Sequence, residues 1–269
     1  MIGSAFTSVM GPVLLFSAVP EDLSGPFNVE ITAGVGSDFS ASAPAAETEH
    51  EIVVTSTTRP GVADPLRAVN EKSFEATIAV DDAVARPVAL AYARVVPEPV
   101  RQGVRNVLDN LAEPVTFVNY VLQLKPLSAC RTFARFVINS TIGVAGLFDI
   151  GKRRPFKLAR HRTGLADTLG YYGVKPGAFF YLPLVGPTTV RDLLGGFVDR
   201  AFLPLAVGKP FGRASYTIPV GVLSAVDRRG RNDGRIKALR AEVDPYLAAR
   251  AAYLERRKSR IQTLRSGGE

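Results

Sequence analysis

Apolar positions recur at helical spacing along much of the chain. The cleanest run is Val100, Val104, Val107, Leu108 and Leu111, one stripe along a helix, with Arg101, Arg105 and Asp109 on its polar side. Asp64-Pro65 reads as an N-cap followed by a first-turn proline and predicts a helix to about Ala83. Arg86-Pro87 restarts the helix to about Val95, and Val96-Pro97-Glu98-Pro99 breaks it. Glu113-Pro114 is expected to end the patterned helix and open another to about Leu124, and Ser128 to cap a helix to about Ser140. A further helix is expected from Asp192 to about Leu203. From Ile218 to Arg265 the pattern predicts two helices joined at 228–234, where Asn232-Asp233-Gly234 favours a turn. Pro245 would interrupt the second, whose apolar side is Leu247, Ala251 and Leu254. The predicted fold class is mainly α.

Two stretches break this texture. Residues 136–148 and 176–190 carry no charge over 13 and 15 residues, too short to span a bilayer as helices and interrupted by Gly or Pro. They read either as buried loops and a buried strand or as pieces inserted into one membrane leaflet. Residues 1–20 are also uncharged, with an apolar centre at Val13 to Phe16 but no basic residue ahead of it. They read as a degraded secretory signal or a plain tail. Residues 21–63 are acidic, rich in Ser, Ala, Thr, Gly and Pro, and read as a disordered linker with a possible strand at 51–55. No solenoid-like repeat is present.

Charge sharpens the picture. The net charge is +8, but residues 1–63 hold one base against seven acids, whereas 227–265 hold 12 bases against five. The basic surface belongs to the folded body and attracts anions, whether nucleic acid, acidic protein or lipid headgroups. Only Tyr246 and Tyr253 lie among the C-terminal bases, so aromatic stacking on nucleic acid has little support. The single cysteine, Cys130, excludes an internal disulfide and reads as a small buried side chain. Two histidines leave little room for zinc. There is no G-x-S-x-G elbow, P-loop or dinucleotide fingerprint. His161 stands between Arg160 and Arg162 without an acid–base motif, as expected of a surface residue. Asp149, Asp167, Asp192 and Asp199 are expected to pair with arginines. No enzyme is indicated.

A longer pattern is more specific. It opens with Asp64-Pro65-Leu66-x-x-x-Asn70 and Arg86-Pro87-Val88-Ala89, then Val96-Pro97-x-Pro99-Val100-Arg101-x-Gly103-Val104-x-Asn106. Asn110-Leu111-x-Glu113-Pro114, Val118-Asn119-Tyr120-x-Leu122-Gln123 and Arg135-Phe136-x-x-Asn139-Ser140-Thr141-x-Gly143 follow. Gly146-Leu147-Phe148-Asp149, Thr168-Leu169-Gly170-x-x-Gly173-Val174, Leu182-Pro183-Leu184-x-Gly186-Pro187 and Arg191-Asp192 complete it. Over about 64–265 the chain resembles the MlaA/VacJ family of outer-membrane phospholipid-transport lipoproteins.

The resemblance implies a single ring-like helical domain in the inner, periplasmic-side leaflet of the Gram-negative outer membrane. It implies no catalysis and no cofactor or metal. An amphipathic channel would withdraw mislocalised phospholipid from the outer leaflet and pass it to a soluble periplasmic lipid carrier, beside a trimeric porin, with no nucleic acid involved. The residues expected at the channel or its gating hairpin are Asn139, Ser140, Thr141, Ile142, Gly143, Gly146, Leu147, Phe148 and Asp149. The two glycines would make the hairpin mobile or merely permit close packing. Phe179, Phe180, Tyr181 and Leu182 are expected to face the membrane. Lys152, Arg153, Arg154, Arg160 and Arg162 would attract headgroup phosphates or, for most of them, anchor at the interface. Two features depart from the family. No lipobox cysteine stands near the start of this sequence, and Ala166-Asp167 replaces a common Phe-Gly pair, so an aromatic contact is expected to be missing. The alternative function is a membrane- or porin-bound adaptor that moves no lipid.

Overall fold

The computed structural model describes residues 64–183, 185–206, 208 and 213–267. The expected signal-like segment, acidic linker and strand at 51–55 lie outside the described residues. Helix α1 (Arg67–Val80), a π-helical turn (Asp81–Ala85) and α2 (Arg86–Val95) form one unbroken run. The expected break at Arg86-Pro87 is therefore a widening. Pro87 has no N–H and its ring crowds the carbonyl four residues back, and a π turn relieves that crowding. The Arg86 N–H reaches Asp81, five residues back. Asp64 is not the N-cap of α1; that position is Leu66, with no side-chain cap. The Asp64 carboxylate accepts instead from Asn70 Nδ2 at 2.7 Å and the Tyr246 hydroxyl at 2.5 Å, tying the approach to α1 to the C-terminal helix.

Helix α3 (Glu98–Leu122) runs straight through Pro114, where a boundary was expected. Its partner α4 (Pro126–Thr141) begins at Pro126, so Ser128 lies buried inside the first turn rather than capping it. The pair is antiparallel: Asn110 meets Ser140, Glu113 meets Arg135, and Tyr120 clusters with Ala129. A loop leads to α5 (Leu165–Tyr171) and a hairpin of β1 (Phe179–Leu182) and β2 (Gly186–Thr189), in register Phe179↔Thr189 to Leu182↔Gly186. Then come α6 (Val190–Ala206), α7 (Ala214–Arg231), α8 (Asp233–Arg240) and α9 (Pro245–Arg265). The C-terminal part thus holds three helices where two were expected. Pro245 starts α9 rather than interrupting one, behind Asp244, whose carboxylate caps the Leu247 N–H at 2.9 Å.

The distribution of polarity defines this fold. Among the described residues, eight apolar side chains are buried, three of them alanines, against 19 polar or charged ones. Arg135 is 1% exposed, whereas Leu124 is 80%, Val95 76% and Leu205 73% exposed. A water-soluble protein shows the reverse. On α3 the buried positions are Gly103, Asn106, Asn110, Glu113, Thr116, Asn119 and Tyr120. Val100, on the apolar stripe, is 54% exposed. The stripe read from the sequence is not the buried side of the helix: Val104, Val107, Leu108 and Leu111 are half-buried and Val100 is exposed, while the fully buried positions are mostly polar. The apolar interior is confined to two small clusters, one around Tyr120, Ala129 and Leu264 and one around Phe179, Tyr246 and Tyr253.

Candidate functional site: the polar interior and the 142–149 turn

The α3–α4 seam is joined by charge and amides. Arg135, on α4, donates from Nε to Glu113 at 3.1 Å and from Nη2 to Asp149 at 2.9 Å, and Nη1 bonds the Leu158 carbonyl. Arg160 Nε reaches the same Glu113 oxygen at 3.1 Å, and Arg160 and Arg162 both pair with Asp109. Burial pushes the Asp149 carboxyl up, but the Arg135 guanidinium and its hydrogen bond outweigh that and hold it below its ordinary value. Burial likewise pulls the Arg160 guanidinium down, against the Glu113 carboxylate. The loop from Asp149 to Arg162 is therefore fastened to both helices by ion pairs that are largely out of water. Arg160 and Arg162 serve this network, whereas Lys152, Arg153 and Arg154 are exposed.

Residues 142–149 turn tightly against this seam. Asn139 is buried, donating from Nδ2 to Asp149 at 3.1 Å and accepting the Gly151 N–H at 2.9 Å. Ser140 Oγ accepts from Asn110 Nδ2 at 2.8 Å, and Thr141 Oγ1 returns to the Val137 carbonyl at 2.7 Å. The Leu147 carbonyl accepts from Asn106 Nδ2 at 3.0 Å. Ile142, Val144, Leu147 and Phe148 point their apolar side chains outward, 41–62% exposed. The two glycines work differently. Gly146 has φ of +90° and takes the left-handed turn itself. Gly143 does not; a Cβ there would meet the Phe148 carbonyl and lie 2.5 Å from that of Asn139. Its role in this turn is close packing.

A second polar seam lies at the other end of α3. Gln123 Nε2 donates to Thr163 at 2.7 Å and Thr168 at 2.9 Å, and the Thr168 hydroxyl donates to Asn119 Oδ1 at 2.7 Å. Asp199, on α6, accepts the Leu165 N–H at 2.9 Å and Asn119 Nδ2 at 3.2 Å. Burial, more than these bonds, sets its carboxyl, which is pushed up to about 6. The other three carboxylates singled out do pair with arginines: Asp149 as above, Asp167 with Arg257 at 2.7 Å and Arg260 at 3.0 Å, and Asp192 with Arg257 at 2.8 Å. Asp167, next to Ala166 in the pair that departs from Phe-Gly, thus anchors α9 with a buried ion pair.

Two further expectations are corrected. Phe179 is fully buried against Tyr246 and Tyr253 and faces no membrane, because β1 lies over α1 and α9. Tyr181 packs edge-on to Phe74 with ring centres 5.1 Å apart, while Phe180 and Leu182 are half-buried. Cys130 is exposed, not buried. Sequence reasoning missed the inward residues of α3. Their signal was present, since Asn106, Asn110, Glu113, Thr116 and Asn119 keep helical spacing opposite the apolar stripe. Among the described residues no group of His, Cys, Asp and Glu could hold a metal, and no helix is long and apolar enough to cross a membrane.

Comparison with known proteins agrees with this architecture. The family model described as MlaA lipoprotein matches residues 62–260. The chain is 34% identical over 179 residues to the intermembrane phospholipid transport system lipoprotein MlaA of Haemophilus influenzae, covering 65% of this chain and 70% of that one. It is 34% identical over 211 residues to the protein of the same name from Escherichia coli K12, covering 74% and 79%. A solved structure described under "Structural basis for maintenance of bacterial outer membrane lipid asymmetry" superposes with a TM-score of 0.66 at 31% identity. It covers 74% of this chain and 99% of the other. The apolar exterior, the ion-paired interior and these matches carry one conclusion: the chain belongs to the MlaA lipoprotein family.

Proposed function

We propose that this protein transports phospholipid at the Gram-negative outer membrane, drawing mislocalised molecules out of the outer leaflet and delivering them to a soluble periplasmic carrier. One observation carries the reading: polar and charged residues are buried while large apolar ones face outward, the polarity expected of a protein whose surrounding solvent is acyl chain. In this reading the body lies within one leaflet, the inner, periplasmic-side one, and among the described residues no helix is long and apolar enough to cross. The matched relatives carry names from an intermembrane phospholipid transport system, and the matched structure concerns outer-membrane lipid asymmetry, which supports the same reading.

The work is non-covalent. Moving a charged group through hydrocarbon costs about 3 kcal/mol on insertion scales and more in simulation. A path walled by amides, hydroxyls and paired charges removes much of that cost. The 142–149 turn would form the rim of the path, with Leu147 and Phe148 toward acyl chains and Asn139, Ser140 and Asp149 toward the polar side. A trimeric porin is the expected neighbour in the membrane. The test is surface labelling of phospholipid on intact cells of a deletion strain. Headgroups should accumulate in the outer leaflet and return to normal when the chain is expressed. Normal asymmetry without the protein, in a strain lacking any second copy of the family, would reduce it to a membrane-bound adaptor.

A further inference from the structure

Beyond the 142–149 turn the backbone closes on itself. The Leu158 N–H donates to the Gly151 carbonyl at 2.8 Å and pinches off a six-residue loop, Lys152-Arg153-Arg154-Pro155-Phe156-Lys157. Its feet are tied to α4: the Gly151 N–H donates to Asn139 Oδ1 at 2.9 Å, and the Leu158 carbonyl accepts from Arg135. Within it the Arg153 N–H reaches the Ile150 carbonyl and the Lys157 N–H that of Arg153, both at 2.9 Å. Lys157 has φ of 50°, a left-handed conformation that persists only where the surroundings impose it. The backbone is thus held, while the side chains at the tip are turned to the outside. All six residues are exposed, and among the described residues no carboxylate pairs with any of the four cations. Arg160 and Arg162, a few positions on, are by contrast both spent on Asp109. The loop lies beside the start of α4, since Phe156 and Lys157 line one cavity with Ser128 and Thr132. Leu127 and Phe133, the sequence neighbours of those two residues, are 62% and 54% exposed.

We propose that the 152–157 loop docks on the headgroup layer of a phospholipid leaflet that contains anionic lipid, with its cations among the phosphates and Phe156 dipping below them, and so fixes the depth of the body in the membrane. The inference deepens the leaflet reading above and rests on it. Four cations in six residues concentrate a positive field at one spot, and an anionic lipid surface attracts such clusters within a Debye length. Lys and Arg lay their carbon stems on apolar surface while their heads stay in the polar layer. The apolar neighbours favour lipid over an acidic protein or free phosphate. A leaflet surface offers phosphates with hydrocarbon directly beneath, and the loop and α4 offer cations directly beside Phe156, Leu127 and Phe133. A free anion would satisfy the charges and leave the aromatic rings in water. A backbone already held in one shape also loses little freedom on docking.

The sequence contains no tryptophan, so Phe156→Trp installs a single depth reporter. The full chain carrying it is reconstituted into phosphatidylcholine vesicles containing phosphatidylglycerol. Lipids brominated near the headgroup should quench its fluorescence more than lipids brominated deep in the acyl chain, and aqueous iodide should quench it little. Quenching by iodide alone would put the loop in water, and shielding from both quenchers would mean that protein covers it; either result overturns the proposal. Leu194→Trp, on the apolar exterior of α6 and 59% exposed, is the reference. If bromolipid reaches that reporter but not Phe156→Trp, only the loop assignment falls; if it reaches neither, the leaflet reading falls as well. Charge is tested by partition of the full chain from neutral detergent into vesicles with and without phosphatidylglycerol. Other basic residues also favour the anionic vesicles, so the loop's share is the difference between wild type and variant. K152Q/R153Q/R154Q/K157Q should lose at least about tenfold of the anionic preference, and R153K/R154K should keep it. Helical circular dichroism reports folding, and if the quadruple variant fails to fold, R153Q/R154Q is read instead. An unchanged preference overturns the proposal, as does abolition of the difference by inorganic phosphate at constant ionic strength, which would make the loop a free-anion site.

Discussion

Glu113 is the residue whose loss should be felt most. Its carboxylate is 3% exposed and one of its oxygens accepts from both Arg135 and Arg160 at 3.1 Å. At that separation and an effective dielectric constant near 20, each attraction is roughly 5 kcal/mol before desolvation is counted. Desolvation cancels much of this, which is why whole buried pairs are often worth little against apolar isosteres. Removing one partner is different, because the other charge stays buried. Glu113→Gln keeps the shape and one acceptor oxygen but deletes the charge. Arg135 retains Asp149 at 2.9 Å and Arg160 retains Asp109, so part of the usual loss of about 3–5 kcal/mol is recovered. The expected destabilisation is about 3 kcal/mol, read from denaturant midpoints of the full chain in detergent. Arg135→Met should cost a similar amount, and the double variant less than the sum of the two singles. A loss below about 0.5 kcal/mol for Glu113→Gln, the range of an ordinary surface change, would refute the view that the interior is held by charge.

Other outcomes follow from the same structure. Asp199 has its carboxyl raised to about 6 by burial, so the folded state holds its proton more tightly than the unfolded chain. The ionised form therefore costs stability above that pH, and acidification from pH 7 towards 4 should recover at most about 3 kcal/mol, at up to about 1.4 kcal/mol per pH unit. Asp149 and Asp192 are held below their ordinary value and contribute with the opposite sign only at lower pH. Subtracting the pH–stability curve of Asp199→Asn from that of the wild type isolates the Asp199 effect, and an identical slope in both proteins would contradict it. Gly143→Ala pushes a methyl onto two carbonyl oxygens and should cost about 1–3 kcal/mol in the same detergent assay, with a still larger effect for Gly143→Pro, which also loses the bond from its N–H to Ile138. Asp167→Asn would take from Arg260 its buried carboxylate and from Arg257 one of two, leaving Arg257 its pair with Asp192, and should cost about 3 kcal/mol in the same assay. Cys130, exposed on α4, should react with a lipid-soluble maleimide in native membranes, and protection until denaturation would place it inside an interface.

Periodicity made the helices legible, and the 3.6-residue repeat of α3 survives in the structure in full. What periodicity alone does not contain is the identity of the solvent. Val100, Val104 and Leu111 mark one side of a helix, but whether that side turns in or out depends on whether water or acyl chain lies beyond it. The prolines misled for a related reason. Pro114 and Pro87 were read as ends, whereas α3 absorbs one and a π turn accommodates the other. Asp64 had the right neighbours for an N-cap but is claimed by Asn70 and Tyr246, the latter 182 residues away in sequence, and no local pattern encodes such a partner. For the uncharged stretch 176–190 the buried-strand alternative describes Phe179, whose hairpin packs against α1 and α9, and composition alone could not choose it over leaflet insertion.

The ion pairs explain how such an interior can hold a fixed shape. With few apolar residues inside and acyl chains outside, the hydrophobic effect supplies little force between the helices. Specific partners must set the register instead, and the pairs found here join segments far apart in the chain. Arg229 grips Asp81 through two bonds, at 2.5 and 2.8 Å, and Arg240 holds Asp81 and Asp82, so α7 and α8 lock the π turn. Arg257 and Arg260 lock α9 to α5 through Asp167. The basic C-terminal helices, which in the sequence resemble a solvated surface, thus spend several of their arginines on internal fastening. On the proposed transport route, a headgroup entering the interior would meet donors and acceptors already committed to one another, which would permit passage without tight retention.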